Sequence, residues 1–404
     1  MKILQINSVF GRGSTGRIMA DLAQSQEKVG ILPAVAYGQK SEYNDVEYPV
    51  YKIGQTEFNV YEHILEARFF DNGGFASRKA TYNFVKQIRQ FKPDIVHLHN
   101  LHGYYINVAI LFKELSALSC KVVITLHDCW MFSPQSAYLE LDKSGKVPAT
   151  VSSVNEYQEY PRTYCHRSQR LLAKKKAVFT SLDADQVEIV TPSIWLTNLA
   201  KKSFLNKYRI RTIHNGIDLN KFHPYAKNYL QDHFQIGNKK IILGVANIWE
   251  QRKGLTYFNN LANMLTNDYQ IVVVGRLNRN EYLSDKIIQI KQTNNIAELS
   301  QIYSAADIFI NPTLADNFPT TNIESLASGT PVITFKTGGS PESLNAVTGR
   351  VVTKGDMNQL VEACKTVVKT PDMIKSCVDR AQLFSKEICY DKYLGLYKNL
   401  KGGK

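Results

Sequence analysis

Short apolar runs alternate with helical patterns along almost the whole chain, and this alternation limits the possible folds more than any other feature. Residues 271–274 and 306–310 are examples, rich in Ile, Val and Phe. Such runs predict strands that are buried on both faces, and helices between them predict parallel strand connections. At 404 residues the chain is long enough for two cores. We therefore expect an α/β protein with two doubly wound parallel sheets.

A break in the alternation near residue 222 predicts the domain boundary. Phe222-His223-Pro224 is typical of a linker, because proline and the residue before it interrupt regular structure. We expect residues 1–221 to form an N-terminal domain, residues 222–385 a C-terminal domain, and residues 386–404 a C-terminal helix.

The beginning of the chain and its cysteines argue against several classes of protein. The first residues become polar too soon for a signal peptide, and no apolar run approaches the roughly 20 residues of a membrane span. We therefore expect a cytoplasmic protein. The six cysteines include no CxxC pair, which argues against a zinc knuckle or a disulfide scaffold. Cys129, Cys165 and His166 form only a weak candidate metal site, so we expect neither a metal nor another cofactor.

The net charge of +13 is not evenly spread. Residues 161–211 contain eleven Lys and Arg residues against three acidic ones. A basic segment of this kind attracts an anionic membrane surface, a diphosphate-bearing lipid or nucleic acid. The sequence has no helix-turn-helix, RNA-recognition or zinc-finger pattern, so we expect no nucleic acid. A solvated helix face is the alternative. Eight of the cations are Arg162, Arg167, Arg170, Lys174, Lys175, Lys176, Lys201 and Lys202.

A glycine-rich loop follows the first predicted strand. The run from Gly11 to Gly16, with a third glycine at Gly13, opens a helix for which Ser14 or Thr15 is the expected cap. Free backbone N–H groups and the positive end of the helix dipole make this loop a candidate anion site. The next predicted strand does not end in the acidic residue that would hold an adenosine ribose, so a dehydrogenase is disfavoured.

Histidines stand at the predicted carboxyl ends of two strands. His97 and His99 end one of them, and His127 follows the next. We expect His97 to be a packed core residue. His127 is the functional candidate, because an imidazole there can bond a sugar hydroxyl or a phosphate oxygen.

Two acids in the second half form a candidate polyol clamp. Asp316 lies in the loop after a predicted strand, and Glu324 lies in a helix expected over residues 323–328. Carboxylates at the carboxyl edge of a parallel sheet can accept hydrogen bonds from the hydroxyls of a sugar or a ribose. The alternative is a helix-capping acid with a surface glutamate.

Two adjacent cations, Arg252 and Lys253, precede another predicted helix. We expect the loop that contains them to begin at Asn247. Phosphates fit there by charge and by the helix dipole, although a solvated surface pair is the alternative.

Taken together, these motifs resemble the retaining glycosyltransferases of family 4, which have the GT-B fold, and most closely the branch that builds capsular, exopolysaccharide or O-antigen repeats. The resemblance covers nearly the whole chain. It rests on Val96-His97-Leu98-His99, Thr125-Leu126-His127-Asp128, His214-Asn215-Gly216-Ile217-Asp218, Arg252-Lys253-Gly254, Ala305-Ala306-Asp307, the run from Asp316 to Glu324, Ser328-Gly329-Thr330-Pro331-Val332 and Gly338-Gly339-Ser340-Pro341-Glu342.

The resemblance implies two Rossmann-like domains that face a central cleft, with the C-terminal helix crossing back to the first domain. It also implies transfer of a sugar, with retention, from a nucleotide-diphosphate donor that is expected to be a UDP-sugar. The expected acceptor is a lipid-linked oligosaccharide at the cytoplasmic membrane face, where the protein would associate peripherally. A nucleotide-sugar epimerase and a non-catalytic binding protein are the alternatives.

Site residues follow from the resemblance by position. Glu324 matches the residue that holds the ribose, and Asp316 matches the first acid of the E-x7-E motif, which contacts the donor sugar. Lys253 matches the diphosphate-binding lysine. Asn247 stands where the family has an arginine, so we expect Arg252 to supply the missing charge.

Further residues of the donor site follow in the same way. Gly13 and Gly16 match the loop near the leaving phosphate, and His127 matches a histidine near the outer hydroxyls of the sugar. Pro319 stands where the family has a glycine, which removes one backbone donor. The remaining expected donor-binding residues are Asn317, Phe318 and Thr320.

Overall fold

The chain divides into two compact units in the computed structural model. One unit is Met1–His214 together with Tyr390–Lys404, and the other is Asn215–Cys389. From the sequence we expected these divisions after residues 221 and 385. The structure describes residues 1–42, 46–54, 57–134, 136–139, 164–165, 168–225, 228–279 and 281–402.

The first unit is built on a seven-stranded sheet in the order β3-β2-β1-β4-β5-β6-β7. Every strand pair described in this sheet is parallel, as expected. The elements are β1 Lys2–Asn7, α1 Gly13–Lys28, β2 Leu32–Tyr37, β3 Val50–Lys52, α2 Glu57–Phe70, α3 Arg78–Phe91, β4 Ile95–Leu98, α4 Val108–Ala117, β5 Lys121–Thr125, α5 Ser168–Phe179, β6 Val187–Thr191, α6 Ile194–Lys201 and β7 Arg209–Thr212.

The second unit is built on a six-stranded sheet in the order β10-β9-β8-β11-β12-β13. Its described strand pairs are also parallel. The elements are α7 Tyr229–His233, β8 Lys240–Trp249, α8 Leu255–Met264, β9 Tyr269–Leu277, β10 Ile287–Ile290, α9 Ile296–Ala305, β11 Ile308–Asn311, α10 Thr320–Ala327, β12 Val332–Phe335, β13 Gly349–Val352, α11 Met357–Thr366, α12 Pro371–Gln382 and α13 Lys386–Gly402. The C-terminal part of α13 belongs to the first unit.

The strand order reverses once in each sheet, and the predicted site loops follow the strands at that point. In the first sheet the reversal lies between β1 and β4, and in the second it lies between β8 and β11. Ligands of doubly wound sheets bind outside the carboxyl ends of the strands where the order reverses. The glycine loop follows β1, Lys253 follows β8, and Asp316 follows β11.

Several local expectations were wrong. Strand β8 continues to Trp249, so Asn247 lies in a strand and not in the loop; an irregularity in register between Val245 and Ile248 lets β8 stay paired with β9 through this stretch. Helix α10 begins at Thr320, three residues earlier than expected, because Pro319 takes the N-cap position with φ −70°. Strand β10 was not predicted.

The cap expected for the first helix was also wrong. Helix α1 already begins at Gly13 and its N-cap is Arg12, so Ser14 and Thr15 lie within the first turn. Gly13 has a positive φ, 65°, which glycine adopts without strain where the loop meets the helix.

The basic segment is not one continuous solvated face. Lys175 on α5 is fully buried. Its Nζ donates to the carbonyl oxygens of Trp130, at 2.7 Å, and Ser133, at 3.3 Å, and it lies 3.9 Å from the centroid of a Trp130 ring. Lys175 therefore anchors the chain that follows β5 and does not face a membrane. Arg162 and Arg167 of this segment lie outside the described residues.

No helix within the described ranges combines the length and the apolar character needed to cross a membrane.

Candidate functional site

Arg252, Lys253 and Asp316 come together at the carboxyl edge of the second sheet. The Lys253 Nζ lies 2.7 Å from Asp316 Oδ2, and the Arg252 Nη1 lies 3.7 Å from the same oxygen. Arg252 Nη1 also donates to the carbonyl oxygen of Ala315 at 2.8 Å. The turn after β8 and the loop after β11 are therefore joined through their charged side chains.

Gly254 makes this close approach of the two segments possible. Its φ is 78°, and a Cβ atom at this position would lie 2.3 Å from the carbonyl oxygen of Pro312. The backbones are also joined directly, because Leu314 N donates to the Arg252 carbonyl oxygen at 2.8 Å. Only glycine fits both the backbone conformation and the available space.

Two cations, Arg252 and Lys253, flank the Asp316 carboxylate in this cluster, and the exposed Glu250 lies 3.7 Å from Arg252 on its outer side. Burial would raise the pKa of Asp316, but Lys253, Arg252 and the Asn317 N–H group together lower it below its usual value. Asp316 is therefore a carboxylate between two cations. Two cations beside a single partly buried carboxylate suit a diphosphate, which would compete with Asp316 for Lys253. The sequence predicted that Asp316 contacts the donor sugar, whereas in the structure it pairs with Lys253 and Arg252, the cations that we expected to bind phosphate.

Glu324 lies on α10, is half-buried, and has a partner that the sequence analysis missed. The Tyr303 hydroxyl donates to Glu324 Oε2 at 3.2 Å. Burial, and then Glu324 itself, raise the pKa of Tyr303 well above its usual value, so the phenol keeps its proton. Tyr303 belongs to α9, and its apolar surroundings in sequence gave no signal of a polar role.

Asn322 is a second residue that the sequence analysis missed. Its Nδ2 lies 3.0 Å from both Ser340 Oγ and Ser343 Oγ, and its Oδ1 accepts from Asn311 Nδ2 at 2.8 Å. These bonds connect α10, the end of β11 and the segment after β12. The network is buried and satisfied, so it fixes the helix that carries Glu324.

Four further residues that we expected to bind the donor have different surroundings. The side chain of Phe318 is buried in the core, with its ring centroid 5.6 Å from that of Phe384, so only its backbone is available to a ligand. Asn317 is buried, and its carbonyl oxygen accepts from Gly339 N at 3.0 Å. Asn247 is an exposed strand residue of β8. Thr320 is half-buried at the start of α10.

The glycine loop of the first unit is tightly closed. Gly11 N donates to the Gly16 carbonyl oxygen at 3.0 Å. A Cβ atom at Gly16 would lie 3.1 Å from the Val9 side chain and 3.3 Å from Gly11 N, whereas one at Gly13 would meet no described atom within 4 Å. The lack of a side chain at Gly16 therefore allows the loop to close tightly, and Gly13 allows the positive φ of the turn.

The histidines after β4 and β5 form a linked cluster. His127 Nε2 lies 3.1 Å from His99 Nδ1, and His99 Nε2 lies 3.1 Å from Gln5 Oε1. His102 Nε2 lies 2.5 Å from Asp128 Oδ2. Burial lowers the pKa of His127 to about 4, although Asp128 opposes this shift.

His97 is a core residue, as expected. It is fully buried and lies 2.7 Å from Thr125 Oγ1 through Nε2 and 2.7 Å from the Tyr397 hydroxyl through Nδ1. Burial lowers its pKa to about 3. The C-terminal helix α13 thus contributes to the packing of this cluster.

The described residues contain no group of three or more His, Cys, Asp or Glu side chains that could hold a metal ion. Cys129 is buried, and His166 of the weak candidate metal site lies outside the described residues.

Comparison with known families gives two matches along the chain. Residues 15–221 match the family described as Glycosyltransferase Family 4. Residues 239–370 match the family described as Glycosyl transferases group 1.

Two curated relatives extend over most of the chain. The chain is 21% identical to the "Putative colanic acid biosynthesis glycosyl transferase WcaC" of Escherichia coli (strain K12), over 99% of this chain and 100% of that protein. It is also 21% identical to the "Capsular polysaccharide biosynthesis glycosyltransferase CapM" of Staphylococcus aureus, over 77% of this chain and 87% of that protein.

Solved structures share the fold over the full length. A sucrose-phosphate synthase from Thermosynechococcus elongatus superposes with a TM-score of 0.71 at 17% identity, covering 100% of both chains. Anabaena HepE in complex with UDP superposes with a TM-score of 0.68 at 14% identity, covering 99% of this chain and 100% of that chain.

Proposed function

The chain belongs to glycosyltransferase family 4, and we propose that it moves a sugar from a UDP-sugar, with retention, to a hydroxyl of a lipid-linked oligosaccharide. The observation that carries this proposal is the cluster of Lys253, Arg252 and Asp316 at the carboxyl edge of the second sheet. Its two adjacent cations suit the diphosphate of a nucleotide sugar. HepE, which shares the fold, was solved with UDP, and this supports uridine as the base.

Lys253 and Arg252 would act on the leaving group. As the bond from the anomeric carbon to the diphosphate oxygen breaks, negative charge grows on that oxygen and positive charge grows on the sugar ring. Fixed cations that bind the departing diphosphate stabilise this transition state without reorganisation. Arg252 is held by the Ala315 carbonyl oxygen at 2.8 Å, so its charge is preorganised beside Lys253.

Glu324 would hold the ribose. A carboxylate accepts hydrogen bonds from vicinal hydroxyls, and Tyr303 orients this one by donating to Oε2 at 3.2 Å. The buried Asn322 network anchors the same helix. We propose further that His127, Gly13 and Gly16 bind the donor, as the family resemblance implies.

The lipid-linked acceptor requires a place where the protein meets a membrane, and we propose that this place is the exposed face of α2. Phe58, Tyr61, Leu65 and Phe69 repeat at helical spacing and expose 73%, 62%, 55% and 53% of their surfaces. Exposed aromatic residues beside cations suit the interface of an anionic bilayer, where aromatic rings lie at the level of the headgroups. Because Lys175 of the basic segment is buried, the proposed membrane contact is the α2 face and not the basic segment as a whole.

Cations flank the α2 face at its C-terminal end. Arg170 and Lys174 of α5 line a cavity of about 230 Å³ together with Phe70, Asp71, Asn72 and Leu171. Lys174 Nζ donates to Asn72 Oδ1 at 3.1 Å, so this hydrogen bond holds the ammonium group next to the residues that follow α2. Positive charge next to exposed aromatic side chains matches the phosphates and acyl chains of an anionic lipid surface.

A thermal-shift screen of nucleotide sugars, followed by transfer assays, tests the donor. A nucleotide sugar that binds the folded state raises the melting temperature by mass action. We expect a UDP-sugar to give the largest shift, and Lys253→Ala to abolish most of it while the unliganded melting temperature changes little. Lys291→Ala, an exposed lysine after β10, is the control. An unchanged UDP-sugar shift in Lys253→Ala would contradict the diphosphate assignment.

The reaction products separate this proposal from the alternatives. A transferase releases UDP only when an acceptor hydroxyl receives the sugar. An epimerase would convert the nucleotide sugar without any acceptor, and a binding protein would release nothing.

A further inference from the structure

The imidazole of His127 has two tautomers, and only one of them can accept a hydrogen bond at Nδ1. We propose that Gln5 and His99 are positioning residues that hold His127 in the tautomer protonated on Nε2. Its Nδ1 then accepts a hydrogen bond from a hydroxyl of the donor sugar and does not donate to a phosphate oxygen. The ligand part of this inference rests on the proposed function, whereas the tautomer part does not.

The contacts of the Gln5 amide fix its orientation. Gln5 lies in β1 and is fully buried. Its Nε2 lies 3.3 Å from the carbonyl oxygen of Met19. Because a backbone carbonyl can only accept, the amide nitrogen must face Met19 and the amide oxygen must face His99. A second contact, from Nε2 to Gln26 Oε1 at 3.3 Å, agrees with this orientation.

The amide oxygen of Gln5 determines the proton on His99. His99 Nε2 lies 3.1 Å from Gln5 Oε1, and an amide oxygen can only accept, so His99 carries a proton on Nε2. His99 is 3% exposed, and its two ring nitrogens face an amide oxygen and an imidazole. A buried cation without an anionic partner is costly, and burial lowers the pKa of His99 well below its usual value. His99 is therefore neutral, with a lone pair on Nδ1.

The lone pair on His99 determines the proton on His127. His99 Nδ1 and His127 Nε2 are 3.1 Å apart. The ring centroids are 5.4 Å apart and the ring planes differ by 16°, so the two rings meet end to end in nearly one plane. That geometry fits an N–H···N hydrogen bond, which requires the proton on His127 Nε2. In the neutral ring, Nδ1 is then the acceptor.

This arrangement decides between the two roles open to His127. A sugar hydroxyl can donate to Nδ1, whereas an ionised phosphate oxygen can only accept and would meet a lone pair. The sugar hydroxyl is therefore the ligand group that the relay through Gln5 and His99 selects.

The tautomer can be measured without any ligand. In protein labelled with 15N at histidine, long-range proton–nitrogen correlation distinguishes protonated from unprotonated ring nitrogens, and His127→Gln identifies the His127 signals. We expect wild-type His127 to be protonated on Nε2 alone. In Gln5→Met the acceptor for His99 is lost, and we expect the other His127 tautomer to become populated. Protonation of His127 on Nδ1 in the wild type, or an unchanged tautomer in Gln5→Met, would overturn the proposal.

Thr125→Val is the matched control. It removes a buried hydroxyl that lies 2.7 Å from His97 Nε2 and 3.1 Å from the Tyr393 hydroxyl, within the same cluster but outside the relay. We expect its melting temperature to fall about as far as that of Gln5→Met while the His127 tautomer stays unchanged. Loss of the tautomer in Thr125→Val as well would mean that general loosening is the cause, and would overturn the specific role of Gln5.

Binding of UDP-glucose and of UDP, measured by calorimetry, tests the ligand part. In Gln5→Met we expect the dissociation constant of UDP-glucose to rise roughly three- to tenfold, as for one lost hydrogen bond, and that of UDP to stay unchanged. Equal losses for both ligands would overturn the hydroxyl contact. A wild type that shows the expected tautomer yet binds neither ligand would contradict the proposed donor and still support the positioning role.

Discussion

Lys253 and Asp316 form a partly buried ion pair, with 2.7 Å between Nζ and Oδ2, across the two loops that follow β8 and β11. The carboxylate thus occupies one face of the lysine that is proposed to bind the diphosphate. On the proposed function the donor must displace or share this contact, so we expect Asp316 to lower the affinity of Lys253 for phosphate.

Asp316→Asn should bind UDP more tightly than the wild type. The substitution removes the anion that competes with phosphate, and we expect roughly a tenfold gain at low ionic strength that shrinks as salt is added. Calorimetry at two salt concentrations measures it. Asp218→Asn is the control, because Asp218 also pairs with a lysine of the same unit, Lys386, at 2.6 Å. Weaker UDP binding in Asp316→Asn would mean that the carboxylate helps to hold the donor.

Gly254→Ala should destabilise the protein more than Gly237→Ala. Both glycines have a positive φ, 78° and 63°, but a Cβ atom would clash with the Pro312 carbonyl oxygen only at Gly254, whereas at Gly237 it would meet no described atom within 4 Å. Backbone strain alone costs about 1 kcal/mol, so a larger loss in Gly254→Ala measures the steric part. Urea unfolding gives both values. Equal losses would show that the two loops can move apart without cost.

Lys175→Met should change how stability depends on pH. Burial lowers the pKa of Lys175 to about 7, while a lysine in the unfolded chain has a pKa of about 10.4. Between these values the unfolded state binds more protons, so wild-type stability rises with pH; the penalty of charging the buried amine is complete below the folded-state pKa. Met does not titrate. The free energy of unfolding of the wild type, relative to Lys175→Met, should therefore increase from about pH 7 to about pH 10.

Urea unfolding at a series of pH values measures this difference. Lys176→Met, at the exposed neighbouring position, should follow the wild-type profile. A wild-type advantage over Lys175→Met that does not vary with pH would show that the amine titrates normally.

The α2 face should be needed for membrane binding. Phe58→Ser, Tyr61→Ser and Leu65→Ser combined remove three exposed apolar side chains, and we expect sedimentation with phosphatidylglycerol vesicles to fall at least about tenfold. Val347→Ser with Val368→Ser is the control, since these side chains expose 54% and 57% of their surface in the second unit. Undiminished sedimentation of the triple variant would remove α2 as the contact.

Membrane binding and donor binding can be measured separately in the same variant. The triple variant should keep the thermal shift produced by a UDP-sugar, because its substitutions lie far along the chain from Lys253 and Glu324. Loss of both would indicate misfolding, which the unliganded melting temperature would reveal.

The alternation of apolar runs and helical patterns was enough to predict both parallel sheets. Strand and helix periodicities are local properties, so residues close in sequence carry them. The placement of Lys253 and Asp316 at strand ends also followed from local pattern, because loops at the carboxyl edge of a parallel sheet converge. The family resemblance added roles, and family membership is now established, while the roles of single residues remain predictions.

The features that the sequence did not predict depend on burial and on contacts between residues that are distant in sequence. Lys175 has the same local sequence pattern as the half-buried Lys174 and the exposed Lys176, and its contacts with the Trp130 and Ser133 carbonyl oxygens make it a core residue. Phe318 lies within the expected donor-binding run, yet its ring packs against Phe384.

The contacts from Gln5 through His99 to His127 join strand β1 to the residues that follow β4 and β5, which are distant in sequence. The sequence by itself determined which elements form and in what order, because periodicity is local. Tertiary structure decided which side chains face water, which face each other and which ring nitrogen holds a proton, because these depend on neighbours that the chain brings together only when it folds.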